Sequence, residues 1–579
     1  MRRRPALLGT ALISLVMPAL MPPAQARPSH VAAAKPPVSP PVPVNAGAYL
    51  TAVVATLTGD MEEAARSYRT ALETDPQNTD LLRRALVYSI FAGDPVVVPL
   101  AEQHLRKENG HSLIAAMVLG NDAAKRGAWK DAISRYRMVP DTGFYDLLTP
   151  LLDAWCRAGA GEGAAAIADL NRMAASRPPV ATFYLTHAAL IAGYSNLTSS
   201  AGELLTRAAA ASSGDDLLLT RTRAAWLWKD GRRDEARELI RKVVASDPVF
   251  ALSGSDLQAT ISIPPVTTPQ QGLAHAYLVI AFLLFEEARH APQPAISQGA
   301  EDASFFMLHL ALSLDPDLTI ARLRLAEVEN DRKHPEEALA ILRASDPKSP
   351  FARVVRFRIA LLETRAGQQD AAVKELQSIV AEVPDQILPL RVLASLQAEQ
   401  KNYPDAVKTW TQAIDLARRQ NVRDWVLYFG RAAAFEAQGK WAEAEADLQK
   451  ARTFAPDEPM ILNFLGYGWI QRGQHREEAV RLLRRAMMLD PDDVAIRDSL
   501  GWALVETGDI ANGTRLLEEA VEKEPLDAEM NYHLGVAYWR AGRHVEAIDQ
   551  WDVALQQKPD PEVEKKIRKA LSDAGSKAH

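Results

Sequence analysis

Along the last third of the chain, apolar residues recur three or four positions apart, with polar residues between them, which is the spacing of one helical face. These faces come in pairs, divided by glycine and closed by proline. Pro491, Pro525 and Pro559 are 34 residues apart. Gly466, Gly501 and Gly535 form one column, and Gly473, Gly508 and Gly542 a second. Ala479, Gly513 and Ala547 make a third column, and Ala486, Ala520 and Ala554 a fourth. An additional residue in the turn before Glu478 displaces the first segment by one position. The first glycine, preceded by Leu465, Leu500 or Leu534, gives a helix a place where its neighbour's backbone can approach. The second falls where a helix must end in the left-handed conformation that other residues dislike. Four residues beyond the third column stands a large side chain (Leu483, Leu517, Trp551), and three further on an alanine, so small and large residues interlock on one face. Proline then closes the unit because it cannot continue a helix. The pattern predicts pairs of helices, repeated.

The same columns continue upstream. Gly439, Ala444, Ala451 and Pro456 match them, as do Ala406, Trp410 and Ala413, then Gly367, Ala372 and Pro384, and Ala338 with Pro350. Gly231, Ala236 and Pro248 mark another copy, Gly127, Ala132 and Tyr136 a looser one, and Gly59, Ala64, Tyr68, Ala71 and Pro76 the first. The stretches 79–112, 145–178 and 183–214 keep the periodicity with degraded columns. Such columns resemble the tetratricopeptide repeat, whose period is 34 and whose units stack as helical hairpins. The resemblance implies an all-α superhelical solenoid of about 12–13 hairpins, divided into arrays over 47–250 and 273–560. Residues 251–272 break the pattern with Ser, Thr and Pro and read either as a linker between two halves or as a surface insertion. In 561–579, Val563, Ile567 and Leu571 form one apolar stripe among Lys565, Lys566, Arg568 and Lys569, as expected of a capping helix followed by a tail.

The beginning of the chain has a different character. In residues 1–26, Arg2, Arg3 and Arg4 precede an apolar run from Ala6 to Leu20, and Ala24-Gln25-Ala26 is a small-x-small site, the order of a cleaved secretory signal peptide. The run is shorter than the roughly 20 apolar residues of a membrane span. Residues 27–46 hold six prolines and read as a stiff, disordered spacer. Past the signal peptide, the most apolar stretch, Ala274 to Phe285, has the length of one buried helix, so no integral membrane span is expected after cleavage. These features place the mature chain in the periplasm, with membrane association through partners as a further option.

Composition then narrows the chemistry. The 579 residues are 47% hydrophobic and 24% charged, a globular balance. A single Cys156 excludes a disulfide framework and a cysteine zinc site, and reads as a buried small hydrophobe. The net charge of −7 becomes more negative once three signal arginines leave 63 basic against 73 acidic residues, which argues against nucleic acid as a partner. No HExxH, Walker loop or GxSxG is present, and the 12 histidines are scattered. Gly159-Ala160-Gly161-Glu162-Gly163-Ala164 imitates a dinucleotide loop, but it follows a helical pattern rather than a strand. His533 and His544 read as solvated or packing residues rather than metal ligands. The chain is therefore expected to have no catalytic site, no metal and no cofactor.

What remains is a surface. In stacked hairpins the first helix of each pair lines the concave side, and with the small-residue column as position eight, positions two, five, nine and twelve face inward. The inward set of the last three repeats includes Asn463, Tyr467, Asp498, Trp502, Tyr532 and Trp539, with Glu506 and Arg540 adjoining. Aromatic rings beside amides and carboxylates suit capture of a peptide segment; the alternative is that Trp502 and Trp539 pack between neighbouring helices.

The run Leu462-Asn463-Phe464-Leu465-Gly466-Tyr467, with Asp498-Ser499-Leu500-Gly501-Trp502 and His533-Leu534-Gly535, is similar to proteobacterial envelope repeat proteins, including the lipoprotein adaptor of a carboxyl-terminal processing protease. That resemblance covers about 425–560 and implies an adaptor binding a periplasmic protease and its substrates. The chain departs from the adaptor in lacking a cysteine at the cleavage site. A component of an envelope polysaccharide synthesis or export complex is the rival within the binding class. A cryptic hydrolase or transferase site in 145–270 is the alternative from a different class, and it would need clustered polar residues in a deep pocket.

Overall fold

The computed structural model describes residues 45–139, 142–212 and 216–577. The expected signal peptide, residues 27–44 of the expected spacer and the last two residues of the tail lie outside the described residues. Ala46, expected as the end of the spacer, begins the first helix. Among the described residues there are 31 α-helices and no strand, and contacts divide the chain into two compact units after Glu375.

In the first unit, α1 (Ala46–Thr58) pairs with α2 (Met61–Thr74), α3 (Thr79–Phe91) with α4 (Val97–Lys107), and α5 (Leu113–Lys125) with α6 (Trp129–Tyr136). The next pairs are α7 (Tyr145–Gly159) and α8 (Gly163–Ser176), α9 (Ala181–Tyr194) and α10 (Thr198–Ala211), and α11 (Leu217–Lys229) and α12 (Arg233–Ser246). Two short helices, α13 (Pro248–Ala251) and α14 (Gly254–Ala259), precede a longer pair, α15 (Pro269–His290) and α16 (Pro294–Leu314). The pair α17 (Thr319–Asp331) and α18 (Pro335–Arg343) is followed by α19 (Ala352–Arg365), and the division between the units falls within α20 (Gln369–Glu382).

The second unit continues with α21 (Ile387–Glu399) and α22 (Tyr403–Arg419), then α23 (Trp425–Glu436) and α24 (Trp441–Phe454). Its last pairs are α25 (Pro459–Gln471) with α26 (Arg476–Leu489), α27 (Val494–Thr507) with α28 (Ile510–Lys523), and α29 (Ala528–Arg540) with α30 (His544–Gln556). The capping helix α31 (Pro561–Lys577) lays Ile567 and Ala574 against Trp551 of α30, covering the face that has no further repeat beside it.

The columns explain why these helices stack. Ala479, Ala547, Ala486, Ala520 and Ala554 are fully buried, as are Leu483 and Leu517. At the α27–α28 pair both contact positions are glycine. A Cβ on Gly513 would lie 2.7 Å from the carbonyl oxygen of Gly501 and 2.9 Å from the amide nitrogen of Val505, so the two backbones touch. Gly508 ends α27 at φ 98°, in the left-handed region. Within the second unit, each second helix packs on the next first helix, and first helices also touch directly, α25 with α27 and α27 with α29. First helices therefore converge on one side of the stack, its inner side.

The first unit differs from the repeating pattern in two places. Residues 251–272, expected as a linker or surface insertion, contain α14 and the start of α15, and Leu252, Leu257, Ile261 and Val266 are buried. The segment is tied down where Arg353 of α19 pairs with Asp256 at 2.7 Å. Its Ser, Thr and Pro content conceals four apolar anchors. In addition, α15 packs on α7 and α9, and α16 on α3 and α5, so this pair covers the first helices of four preceding hairpins. A buried amide fixes the arrangement: Asn121 accepts hydrogen bonds from Tyr136 (2.7 Å) and Tyr277 (3.0 Å) and donates to the Leu310 carbonyl (3.3 Å) and the Ser313 hydroxyl (3.1 Å). No described helix is long and apolar enough to cross a membrane.

Replacing Gly513 with Ala, the residue its own column carries in the neighbouring repeats, is expected to destabilise the chain by about 1–3 kcal/mol, because backbone rather than a flexible side chain must give way. Urea titration followed by circular dichroism checks this. The converse substitution, Ala547→Gly, creates no clash and is expected to cost about 1 kcal/mol of helix propensity together with the lost methyl.

Candidate functional site

The inner side of the last three repeats is built by α25, α27 and α29. Asp493 and Asp527 cap the start of α27 and α29 by accepting the amides of Ile496 (2.9 Å) and Met530 (2.8 Å), which fixes where both helices begin. The register then brings side chains of three helices together. His533 of α29 bonds through Nδ1 to the Asp498 carboxylate of α27 at 2.8 Å. Trp502, one turn beyond Asp498, stacks on the imidazole with ring centres 4.4 Å apart and planes at 17°. Tyr467 of α25 donates its hydroxyl to Glu529 of α29 at 2.8 Å and lies 3.5 Å from Nε2 of His533. Tyr532 stands beside Trp502, with centroids 6.3 Å apart.

Charge in this cluster is confined. Burial opposes protonation of His533, but the adjacent Asp498 and, more distantly, Glu529 outweigh it and raise the imidazole above its ordinary value. Burial, with Glu529 and Asp498 next to it, holds the Tyr467 phenol protonated well beyond the usual tyrosine range. Burial and Glu506 act on Tyr532 in the same direction. Two acceptor oxygens, Oδ1 of Asn463 and Oδ1 of Asp498, are buried without a hydrogen-bond donor among the described residues. The face thus combines half-buried rings with two acceptors that lie beneath them without a donor.

Of the residues singled out by the repeat positions, Tyr467, Asp498, Trp502 and Tyr532 meet in this cluster, with Asp498 buried rather than lining an open surface. Asn463 is half-buried one turn before Tyr467. Glu506 and Arg540 pair at 2.5 Å, and Arg540 also donates to the Val505 carbonyl at 2.9 Å, so they bridge α27 to α29. Trp539 stacks on His544, centroids 4.2 Å apart, and lies near Trp551 of its own hairpin, away from the cluster. His533 and Glu529 were not among the positions expected to face inward. Their spacing of four on a first helix is a readable signal, but His533 is recognised as central only once Asp498 is seen beside it.

The region 145–270 holds buried polar groups of another kind. His187 is wholly buried and accepts a hydrogen bond from the Trp155 indole at 2.8 Å. Burial pushes His187 down to about 4 and His275 to about 3, so both are neutral core residues. A cavity alongside α9 and α11 is lined by Tyr194, Trp226, Trp228 and Lys229, and a second, open cleft beside α12 by Arg223, Arg232, Asp234, Glu235 and Glu238. Cys156 is buried, and burial pushes its thiol above the ordinary range.

A histidine raised in the folded state stabilises that state most where it is protonated in both states, and the contribution fades as pH rises through its folded value. The urea midpoint is therefore expected to fall as pH increases above the ordinary histidine value of about 6.5. In His533→Gln this component of the slope should vanish, and in Asp498→Asn the imidazole resonance should titrate at lower pH by NMR.

Comparison with known proteins identifies the repeat in the second unit. The tetratricopeptide repeat family model matches residues 391–459 and 499–561. The chain is 31% identical over 215 residues to TPR repeat-containing protein PA4667 of Pseudomonas aeruginosa, covering 37% of this chain and 36% of that protein. It is 26% identical over 271 residues to cellulose synthase 2 operon protein C of Komagataeibacter xylinus, covering 43% of this chain and 20% of the relative. The alignments thus span well under half of either relative's length. Among solved structures, YrrB, described as a TPR protein with an unusual peptide-binding site, is 20% identical with a TM-score of 0.27, covering 34% of this chain and 97% of its own. The Cut9–Hcn1 assembly of APC/C gives 14% identity and a TM-score of 0.37, covering 91% of this chain and 96% of its own. The second unit of this chain thus carries tetratricopeptide repeats, at 391–459 and 499–561, within an all-helical array of paired helices.

Proposed function

We propose that this chain is an exported, non-catalytic scaffold of the cell envelope that holds a segment of a partner protein on the inner face of α25, α27 and α29. The observation that carries this reading is the cluster of Trp502, Tyr532, Tyr467 and His533 on three successive first helices, beside acceptor oxygens that lack donors. Half-buried rings held by stacking lose little entropy when a partner covers them. The inner helices α3, α5, α7 and α9 are covered by α15 and α16, which leaves the second unit as the better candidate for this role.

The order of charge, apolar run and small-x-small site in residues 1–26 supports export, with the mature chain beginning at Arg27. Similarity of 425–560 to envelope adaptors supports a periplasmic protease and its substrates as the partners. A second reading, a subunit of an envelope polysaccharide synthesis complex, is supported by the similarity to cellulose synthase 2 operon protein C.

Affinity capture with the full-length chain from an envelope extract, read by mass spectrometry, separates these readings: a protease on one side, synthase subunits on the other. The double variant Trp502→Ala with Tyr532→Ala is expected to lower recovery of the main partner at least tenfold, corresponding to roughly 2 kcal/mol or more for central aromatic contacts. Unchanged recovery by a variant with native circular dichroism would place the partner elsewhere. Terminal sequencing of the periplasmic form should begin at Arg27.

A further inference from the structure

A cavity of about 590 Å³ in the first unit lies between α9, α10 and α11, with residues of the segment 262–267 as part of its wall. Small residues face one another there. Ala189 and Gly193 of α9, Ala201 of α10 and Ala225 of α11 all line it, and the large side chains around them leave the gap unfilled. A Cβ on Gly193 would meet no neighbouring group within 4 Å. The other walls are aliphatic or aromatic: Leu190, Leu205, Val266, Trp226 and Trp228. A space of several hundred Å³ with such walls and a few polar groups has the make-up of a small-molecule site. It is about four times the roughly 150 Å³ that admits benzene, which leaves room for an apolar body of about twelve carbons.

The polar groups around this space divide into engaged and free. The Thr222 hydroxyl donates to the Leu218 carbonyl at 2.7 Å, and the Thr267 hydroxyl to Gln271 at 2.9 Å. Tyr194 and Lys229, the last residues of α9 and α11, are exposed and have no hydrogen-bond or ion-pair partner among the described residues. Lys229 is the single charged residue of the lining. A second exposed cation stands near it: the Arg233 guanidinium lies 5.2 Å from the centre of the Trp228 ring and pairs with no described carboxylate. Arg237, at the same distance from that ring, is taken by Asp234 at 3.0 Å. The carbonyl ends of α9 and α11 lie at this rim and by themselves favour cations. Attraction for an anion therefore has to come from Lys229 and Arg233.

We propose that this cavity binds a single-chain anionic amphiphile, a free fatty carboxylate, with its chain between Leu190, Leu205, Trp226 and Val266 and its head group at Lys229 and Arg233. The class follows from the two halves of the site. Walls without charge select an apolar body, and both unpaired side chains at the opening are cations that a carboxylate would neutralise. One chain fills the space, and the paired chains of a membrane lipid do not enter it. The site belongs to the first unit and stands independently of the partner face on α25, α27 and α29.

The test is calorimetric titration of the full chain with sodium dodecanoate, with tryptophan emission from Trp226 and Trp228 as a second signal. Saturable one-to-one binding is expected. Shortening the chain should weaken it about fourfold per methylene, the equivalent of about 0.8 kcal/mol. Lys229→Glu with Arg233→Glu, at two exposed positions, should weaken dodecanoate at least tenfold, and dodecyltrimethylammonium should then prefer this variant to the native chain. Gly193→Leu, which puts a side chain where no neighbour stands, should block the ligand while circular dichroism stays native. Absence of saturable binding up to about 1 mM, a free energy of only about −4 kcal/mol, overturns the proposal. Equal binding to native and charge-reversed chains does the same, as does an affinity indifferent to chain length. Adsorption to phosphatidylglycerol vesicles without uptake of the free acid also overturns it, because a bilayer surface would then be the ligand. Trp502→Ala with Tyr532→Ala should leave dodecanoate binding unchanged, which separates this site from the fate of the other face.

Discussion

A hairpin of two short helices cannot bury its apolar face alone, and everything else in this molecule follows from how closely neighbouring helices are allowed to approach. Alanine and glycine set that distance. Where Gly501 meets Gly513 the backbones are in contact, and large side chains such as Leu483, Leu517 and Trp551 fill the space the small ones leave. Close approach inside each hairpin lets the first helices of successive hairpins touch, and only then can side chains two hairpins apart meet. Tyr467 reaching Glu529 and His533 across the intervening α27 is the product of that geometry.

The two units use the same hairpin for different ends. In the second, three first helices leave half-buried rings on their shared side, above acceptors that lack donors. In the first, the corresponding helices α3, α5, α7 and α9 are roofed by α15 and α16, whose 22 and 21 residues exceed those of any repeat helix. A buried network around Asn121 joins this roof to the helices beneath it, so the covering is part of the core.

Much of this was readable from residue spacing alone. The glycine and alanine columns specified the helix pairs and their turns, because those columns are a local steric requirement repeated at a fixed interval, and the stripe of Val563, Ile567 and Leu571 specified the cap α31. That Tyr467, Asp498, Trp502 and Tyr532 would gather on successive first helices was legible for the same reason, although Asp498 is buried rather than open. The role of His533 was not, since it depends on a carboxylate 35 residues away and on a ring stacked from that other helix. Trp539 shows the reverse failure: its position predicts an inward ring, yet His544 in its own hairpin supplies a nearer stacking surface. The roof formed by α15 and α16 was hidden because their buried residues lie on several sides of each helix and carry no periodic mark of what they will pack against. Residues 251–272 misled for a simpler reason, as four buried aliphatics are diluted among residues typical of loops.

Roofing the first unit also changes how that part of the chain must assemble. Asn121 finds its partners at Leu310 and Ser313, and Leu57 meets His334, so contacts close over stretches of roughly 190 and 280 residues. An ordinary repeat stack acquires its order hairpin by hairpin and can fray from an end. Here the early hairpins cannot reach their final state until α15 and α16 have been synthesised and docked, and the entropy of closing that loop is spent in one step. The first unit is thereby expected to fold as a more cooperative body than a linear array, whereas contacts in the second reach at most two hairpins along, from Tyr467 to Glu529 and His533.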